Sequence, residues 1–376
     1  MIKLITGIIL IMPWVILPIP NLYDMFRIPK SVFFDISCMA IIVYGLWRGI
    51  VFTYRNKYLA ALCAWIFFTV FMNWYLPILL STGEGFRFNI WTIEHTFHFI
   101  FALFAFYFIV SSLISDDYMK LSKAICVSSA LISIFGLLQY WGLSPFGNMG
   151  FYLTSNKVSA FLDNPNLVGN YLCVSLPFFL YQRELKYKLM GVLPLACLLA
   201  SQSVLSIVIS GAVLLLYLLI EFKGNKRIQF LLLVLLSVIL LAFFLNFNYL
   251  KQANYDSFRA GVWAKSFEYF KHNPLFGQGM GIFKTFRIQY AGELWREAHN
   301  DWLEMAINIG LVGVFLFILL VINSIRNFKF KVADNPGLPY LLSFCSFLLL
   351  MTGSFVIETA PIAFIGLLNF CAVEKL

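Results

Sequence analysis

Residues 311–322 read LVGVFLFILLVI, a run with no charge and no hydrogen-bonding side chain. Runs of this kind recur along the chain, many of them near the roughly 20 residues that carry a helix across about 30 Å of hydrocarbon. The repetition excludes a water-soluble globule. With 61% hydrophobic and only 12% charged residues among 376, the chain has too few polar groups to cover its surface in water. In lipid each backbone amide must be paired within its own segment, so helices are the economical solution. The expected fold is an all-α integral membrane protein of about twelve transmembrane helices, one membrane domain over 1–376.

Spans are expected near 4–20, 31–53, 58–80, 90–114, 121–143, 166–182, 189–202, 204–220, 228–247, 301–324, 339–356 and 361–373. The seventh and last are short for a full crossing and fit tilted, broken or re-entrant segments. The first follows Met1-Ile2-Lys3 and reads as a retained anchor rather than a cleaved leader. The seven cysteines fall within spans, without metal-site or disulfide spacing, and read as small core residues.

The formal charge of +9 is explained by topology and gives no reason to expect nucleic acid as a partner. With an inner N-terminus, the short connections 55–57, 120–123, 183–188, 223–227 and 326–331 are the denser in Lys and Arg, as the positive-inside rule requires. Both termini are then cytoplasmic, and two longer segments, 144–165 and 248–300, lie outside. A loop of about fifty residues among otherwise tight connections is commonly functional.

Within that loop DSFRAGVWAKSFEYFKHNP has helical periodicity, with Asp256 or Ser257 to cap it and Asn273-Pro274 to end it. At 100° per residue, Trp263, Ser266 and Phe270 fall within about 40° of Arg259, while Lys265, Glu268 and Lys271 lie on the far side. Arg259 therefore occupies the aromatic face of an amphipathic helix. Two readings stay open: an interfacial arginine that snorkels or stacks on Trp263, and an arginine held in a low-dielectric cleft to grip an anion. The following NPLFGQGMGIF carries Gly277, Gly279 and Gly281; no strand precedes it, so it reads as a turn that lets backbones approach closely. Arg287 and Arg296 add two more cations to the loop, as anion ligands or as scattered surface charge.

REAHNDWLEMAINIG, residues 296–310, sets charge and imidazole against the start of the tenth span. Asp301 and Glu304 have the spacing of a capping box. His299 then precedes the helix at its positive dipole end, which disfavours imidazolium. It is either an interfacial capping histidine or a neutral general base. His299 shares a face with Ala306, Gly310 and Gly313, small residues that suit close helix packing. Interhelical hydrogen bonds are the expectation for Glu304 and Asn308, and also for His95 and His98, which lack a third metal ligand.

RAGVWAKSFEYFKHNPLFGQGMGIF followed by AHNDWLEMAINIGLVG resembles the signature region of the bacterial O-antigen ligase and O-antigen polymerase superfamily. Weaker likenesses lie in DMFRIPKSVFF, SIFGLLQYWGLSP and FLDNPNLVGNYL. The resemblance implies a membrane glycosyltransferase of lipopolysaccharide or polysaccharide biosynthesis, inverting, needing neither metal nor cofactor. It would take a glycan from undecaprenyl diphosphate and pass it to a lipid or glycan acceptor hydroxyl, at the outer face of the bacterial cytoplasmic membrane. It assigns the base to His299 and diphosphate binding to Arg259; Arg287 and Arg296 are expected as further diphosphate ligands, with Trp263, Asn300, Glu304 and Gly279 in support. Where the family carries Ser-Arg between the seventh and eighth spans, this chain reads LLASQSVLSIVIS, with Gln202 and Val204 in the region. A second phosphate grip would then fall to Arg287, Arg296 or Lys30. From another class, a flippase or transporter of a lipid-linked or anionic solute also fits many spans with Pro and Gly interruptions.

Overall fold

Among the described residues, each stretch that hydropathy places in a span contains helix. The computed structural model describes residues 1–16, 27–50, 56–72, 90–143, 158–162, 164–222, 224–226, 229, 255–283, 288–290, 293–295, 297–328 and 336–376. The predicted span 228–247, Arg287 and Arg296 lie outside the described residues, apart from position 229.

In chain order the helices are α1 Ile2–Ile11, which tightens into a 3-10 turn at Met12–Trp14, α2 Arg27–Trp47, α3 Lys57–Val70, α4 Ile90–Ser112 and α5 Ser115–Tyr140. Then come α6 Pro165–Leu180, α7 Leu185–Met190, α8 Val192–Ser201 and α9 Val204–Glu221. After the undescribed segment follow α10 Tyr255–His272, α11 Asp301–Asn327, α12 Leu338–Leu350 and α13 Ala360–Lys375. Five stretches among the described residues are long and apolar enough to cross a bilayer: Arg27–Trp47, His95–Ser112, Ser115–Tyr140, Val204–Glu221 and Asp301–Asn327. The chain is a multi-pass helical membrane protein. One departure from the all-α expectation lies in the large loop, where β1 Ile288–Tyr290 pairs antiparallel with β2 Glu293–Trp295, Gln289 opposite Leu294.

The helix starts follow local chemistry. Asn56 accepts from the amides of Tyr58 and Leu59, and Asn164 caps α6 through the Leu167 amide just before Pro165 at the first helical position. Helix α6 is buried on nearly every side, packed against α5, α8, α9, α12 and α13, and forms the centre of the bundle. Its polar groups are paired across helices: Ser175 with Ser129, and Tyr171 with Ser128. By contrast α2 shows two faces. Val32, Ile36, Met39 and Val43 are exposed, as lipid contact requires, while Lys30, Phe34, Cys38 and Ile41 face inward. His98 Nδ1 of α4 lies 2.9 Å from Asp35 Oδ1 of α2, a close polar contact between the two helices.

The seventh predicted span is short, as expected, and stops at Gln202, whose φ of 55° turns the chain into α9. Here Gly169 lets α6 approach: a Cβ on it would lie 2.4 Å from Ser203 Cβ. The eleventh ends at Leu350 rather than near 356, because Thr352-Gly353-Ser354 breaks it into a loop, 351–359. Hydropathy cannot register that break, since Phe355, Val356 and Ile357 keep the average apolar.

The tenth span is also broken. Gly310 has φ 68° and ψ 177°, a region open essentially to glycine alone. Into this gap comes the glycine loop after α10. Gln278 and Gly279 donate to the carbonyls of Ile307 and Asn308 at 2.8 and 2.9 Å, and Leu311 and Val312 donate to Pro274 and Leu275 at 2.8 and 3.3 Å. Trp65 Nε1 donates to Ile309 O at 2.8 Å. The backbone groups released by the break are thus paired, as apolar surroundings demand. Gly310 is accordingly a docking point for the loop rather than part of a regular small-residue helix face. Gly279, expected to support the site, serves this splice directly.

Candidate functional site

The segment leading into α11 is held from three sides. Asn300, not Asp301, is the cap: its Oδ1 accepts from the Leu303 amide at 3.0 Å. Glu304 reaches back and accepts from the Ala298 amide at 3.2 Å, tying down the segment that leads into its own helix. Asn308 is buried with its Oδ1 unpaired among the described residues, which does not match the interhelical bond expected of it.

Asp301, one place beyond the cap, turns its carboxylate to the 351–359 loop. It accepts from the amides of Val356 and Ile357 at 2.8 and 3.2 Å, and its own amide donates to Met351 O at 2.9 Å. Trp302 adds a bond to Leu348 O at 3.3 Å. These contacts bind the start of α11 to the end of α12.

His299 stands at this junction in left-handed backbone, φ 51°. Its ring meets the edge of Phe355 at 4.9 Å between centroids and 74° between planes. Helix α10 closes a second side: Trp263 Nε1 donates to Ala298 O at 2.9 Å, and Arg259 Nη1 donates to Gly353 O at 3.2 Å. Along the same helix Val262 and Ser266 are buried while Lys265, Glu268 and Lys271 are exposed, which matches the amphipathic reading. Arg259 therefore reaches the loop whose Phe355 touches His299.

A third side comes from the far end of the sequence. Arg27, at the start of α2, pairs through Nη1 with Glu297 Oε1 at 2.9 Å and lies over the Phe355 ring, 4.8 Å from its centroid. A small pocket beside it is lined by Arg27, Lys30, Glu358 and Thr359, with Leu162 and Leu167 as apolar wall. The electrostatics record the convergence. Burial pushes the His299 imidazole down from its ordinary 6.5 to about 3, the Arg259 charge and then the Arg27 charge push the same way, and Glu358 opposes them. Desolvation and two guanidinium groups thus disfavour a positive charge on this ring.

The structure thus brings together His299, Arg259, Trp263, Asn300 and Glu304 of the residues singled out in the sequence, and leaves Gly279 with the splice. Sequence reading did not find Arg27, Phe355 or Glu358, each of which meets the others only through the fold. At the departure from the family pattern Gln202 is exposed, and the next residues feed a buried chain of hydrogen bonds. Ser203 pairs with Ser206, Ser206 donates to Asn170 Oδ1, and Asn170 Nδ2 donates to Ser354 in the 351–359 loop. Polar side chains, not a cation, link this turn to the site. Among the described residues no group of His, Cys, Asp and Glu is arranged to hold a metal.

Residues 189–318 match the family model described as O-Antigen ligase. A comparison with curated proteins finds no significant match. The matched segment includes Arg259, Trp263, Gly279, His299, Asn300 and Glu304, whereas Arg27, Lys30, Phe355 and Glu358 lie beyond it.

Proposed function

From the match of residues 189–318 to the O-antigen ligase family model, we propose that the chain is a glycosyltransferase of that family acting on a lipid-linked glycan, with a specific reaction and orientation. The protein moves a glycan from an undecaprenyl-diphosphate carrier to an acceptor hydroxyl, lipid or glycan, at the outer face of the cytoplasmic membrane. Both termini face the cytoplasm, and α10 and the 351–359 loop flank His299 on the outer side. The observation that carries this reading is the juxtaposition of the His299 imidazole and the Arg27 guanidinium at the Phe355 ring with Arg259 on Gly353 O of the same loop.

In the proposed step the acceptor oxygen forms a bond to the anomeric carbon as the bond from that carbon to the phosphate oxygen breaks. His299 takes the acceptor proton, and the lipid diphosphate leaves with the bonding electron pair. A single displacement inverts the anomeric centre. Negative charge grows on the leaving diphosphate in the transition state, so Arg259 placed there lowers the barrier rather than only tightening binding. Held at about 3, the imidazole is by itself a weak base. A bound diphosphate supplies negative charge that offsets the two arginines and raises that basicity, so the base becomes effective once the donor is in place.

The test is transfer by the purified full chain in detergent, with a lipid-diphosphate glycan and an acceptor and no membrane gradient. Formation of the new glycoside with release of undecaprenyl diphosphate supports the enzyme. Movement of the lipid-linked glycan across vesicles, without new glycoside, supports the transporter instead.

A further inference from the structure

The anion site at Arg259 lacks the second cation that the family carries near Gln202, and the fold offers one from an unexpected place. Helix α2 opens with Arg27 and puts Lys30 three residues on, on the same helical face. Lys30 is only 3% exposed, exceptional for a lysine, and it lines the pocket that Arg27 shares with Glu358 and Thr359. Arg27 and His299 share Phe355 as a neighbour, the guanidinium over the ring and the imidazole in edge-to-face contact with it. Arg27 and Arg259 thus approach the same imidazole from different chain segments. Because α2 runs 21 residues, roughly 31 Å, its first turn lies at one boundary of the hydrocarbon, the depth at which the phosphates of a lipid carrier reside.

We propose that Arg27, backed by the buried Lys30, holds the second phosphate of the lipid diphosphate while Arg259 holds the first. This rests on the transferase reading above. A diphosphate offers two anionic groups one bridging oxygen apart, and a guanidinium matches each with a fork of N–H donors. Glu297 takes Arg27 Nη1 in the structure. It holds the guanidinium over the Phe355 ring.

The experiment is equilibrium binding of undecaprenyl diphosphate and of undecaprenyl monophosphate to the full chain in detergent. Arg27→Gln is expected to weaken diphosphate binding about tenfold to a hundredfold, with monophosphate changed by less than about threefold. Arg259→Gln is expected to weaken both. Glu297→Gln separates a ligand from a strut: under the proposal it keeps or tightens diphosphate binding. Equal loss in Arg27→Gln and Glu297→Gln, or restoration of binding by the exchanged pair Arg27→Glu with Glu297→Arg, would show a structural ion pair and overturn the assignment. So would diphosphate affinity unchanged in Arg27→Gln when Arg259→Gln weakens it. If neither arginine variant weakens diphosphate binding, the donor site itself is misplaced and the transferase reading falls with it. Arg27→Lys, which keeps the charge and loses the fork, is expected to lie between wild type and Arg27→Gln.

Discussion

Gly310→Ala tests whether the splice between the glycine loop and α11 holds the site together. At φ 68° and ψ 177° an alanine is strained by about 1–3 kcal/mol before any contact is counted. Its Cβ would stand 2.2 Å from Leu275 O and 2.5 Å from Gly277 N, both backbone atoms that cannot rotate away. Relief requires the loop to withdraw, which strains the bonds from Leu311 to Pro274 and from Val312 to Leu275. At roughly 0.5–1.5 kcal/mol for each bond, the total destabilisation comes to about 2–6 kcal/mol. The assay is thermal unfolding of the detergent-solubilised chain beside its transfer rate, with Gly211→Ala as reference because a Cβ there meets nothing within 4 Å. We expect Gly310→Ala to melt about 5 °C or more below wild type and to lose most of its activity, and Gly211→Ala to match wild type. A Gly310→Ala protein that melts and transfers like wild type would refute the splice.

Other outcomes follow from the same contacts. Trp263→Phe keeps the aromatic bulk of α10 and removes the bond to Ala298 O; transfer is expected to fall by about fivefold to twentyfold, measured as initial rate, with little change in melting. Asp301→Ala leaves the buried amides of Val356 and Ile357 without their acceptor and is expected to cost about 2–5 kcal/mol, read by melting temperature. The pH dependence has a definite sign. With His299 held at about 3 when folded and 6.5 when unfolded, the unfolded chain binds the extra proton, so this group's contribution to stability falls as pH drops from about 6.5 toward 3. Correspondingly, kcat/KM should show no acid limb near 6.5 from this residue, and Arg259→Gln should move the limb upward by roughly one pH unit.

Most of the bundle was legible because lipid imposes a rule that a hydropathy average can read. The amphipathic placement of Arg259 and the position of His299 were legible too, since each depends on residues within a few turns. What escaped was non-local or hidden by an apolar average. The break at Gly310 sits inside an uninterrupted apolar stretch, and nothing near it announces that residues 274–279 will supply its hydrogen bonds. Asp301 looks like a cap by spacing, yet Asn300 takes that role and frees the carboxylate for a loop about fifty-five residues away. Arg27 lies 270 residues from the carboxylate it pairs with, so no local pattern connects them. The unusual Arg-x-x-Lys opening an otherwise apolar helix was the available signal.

The central claim is that the imidazole at position 299 accepts the acceptor's proton while cations stabilise the departing diphosphate. Its most direct test is the single-turnover transfer rate of His299→Ala, with donor binding measured on the same preparation. The account predicts donor affinity near wild type and a rate lower by about a hundredfold to ten-thousandfold. A well-folded His299→Ala protein that transfers glycan within about tenfold of wild type would contradict it.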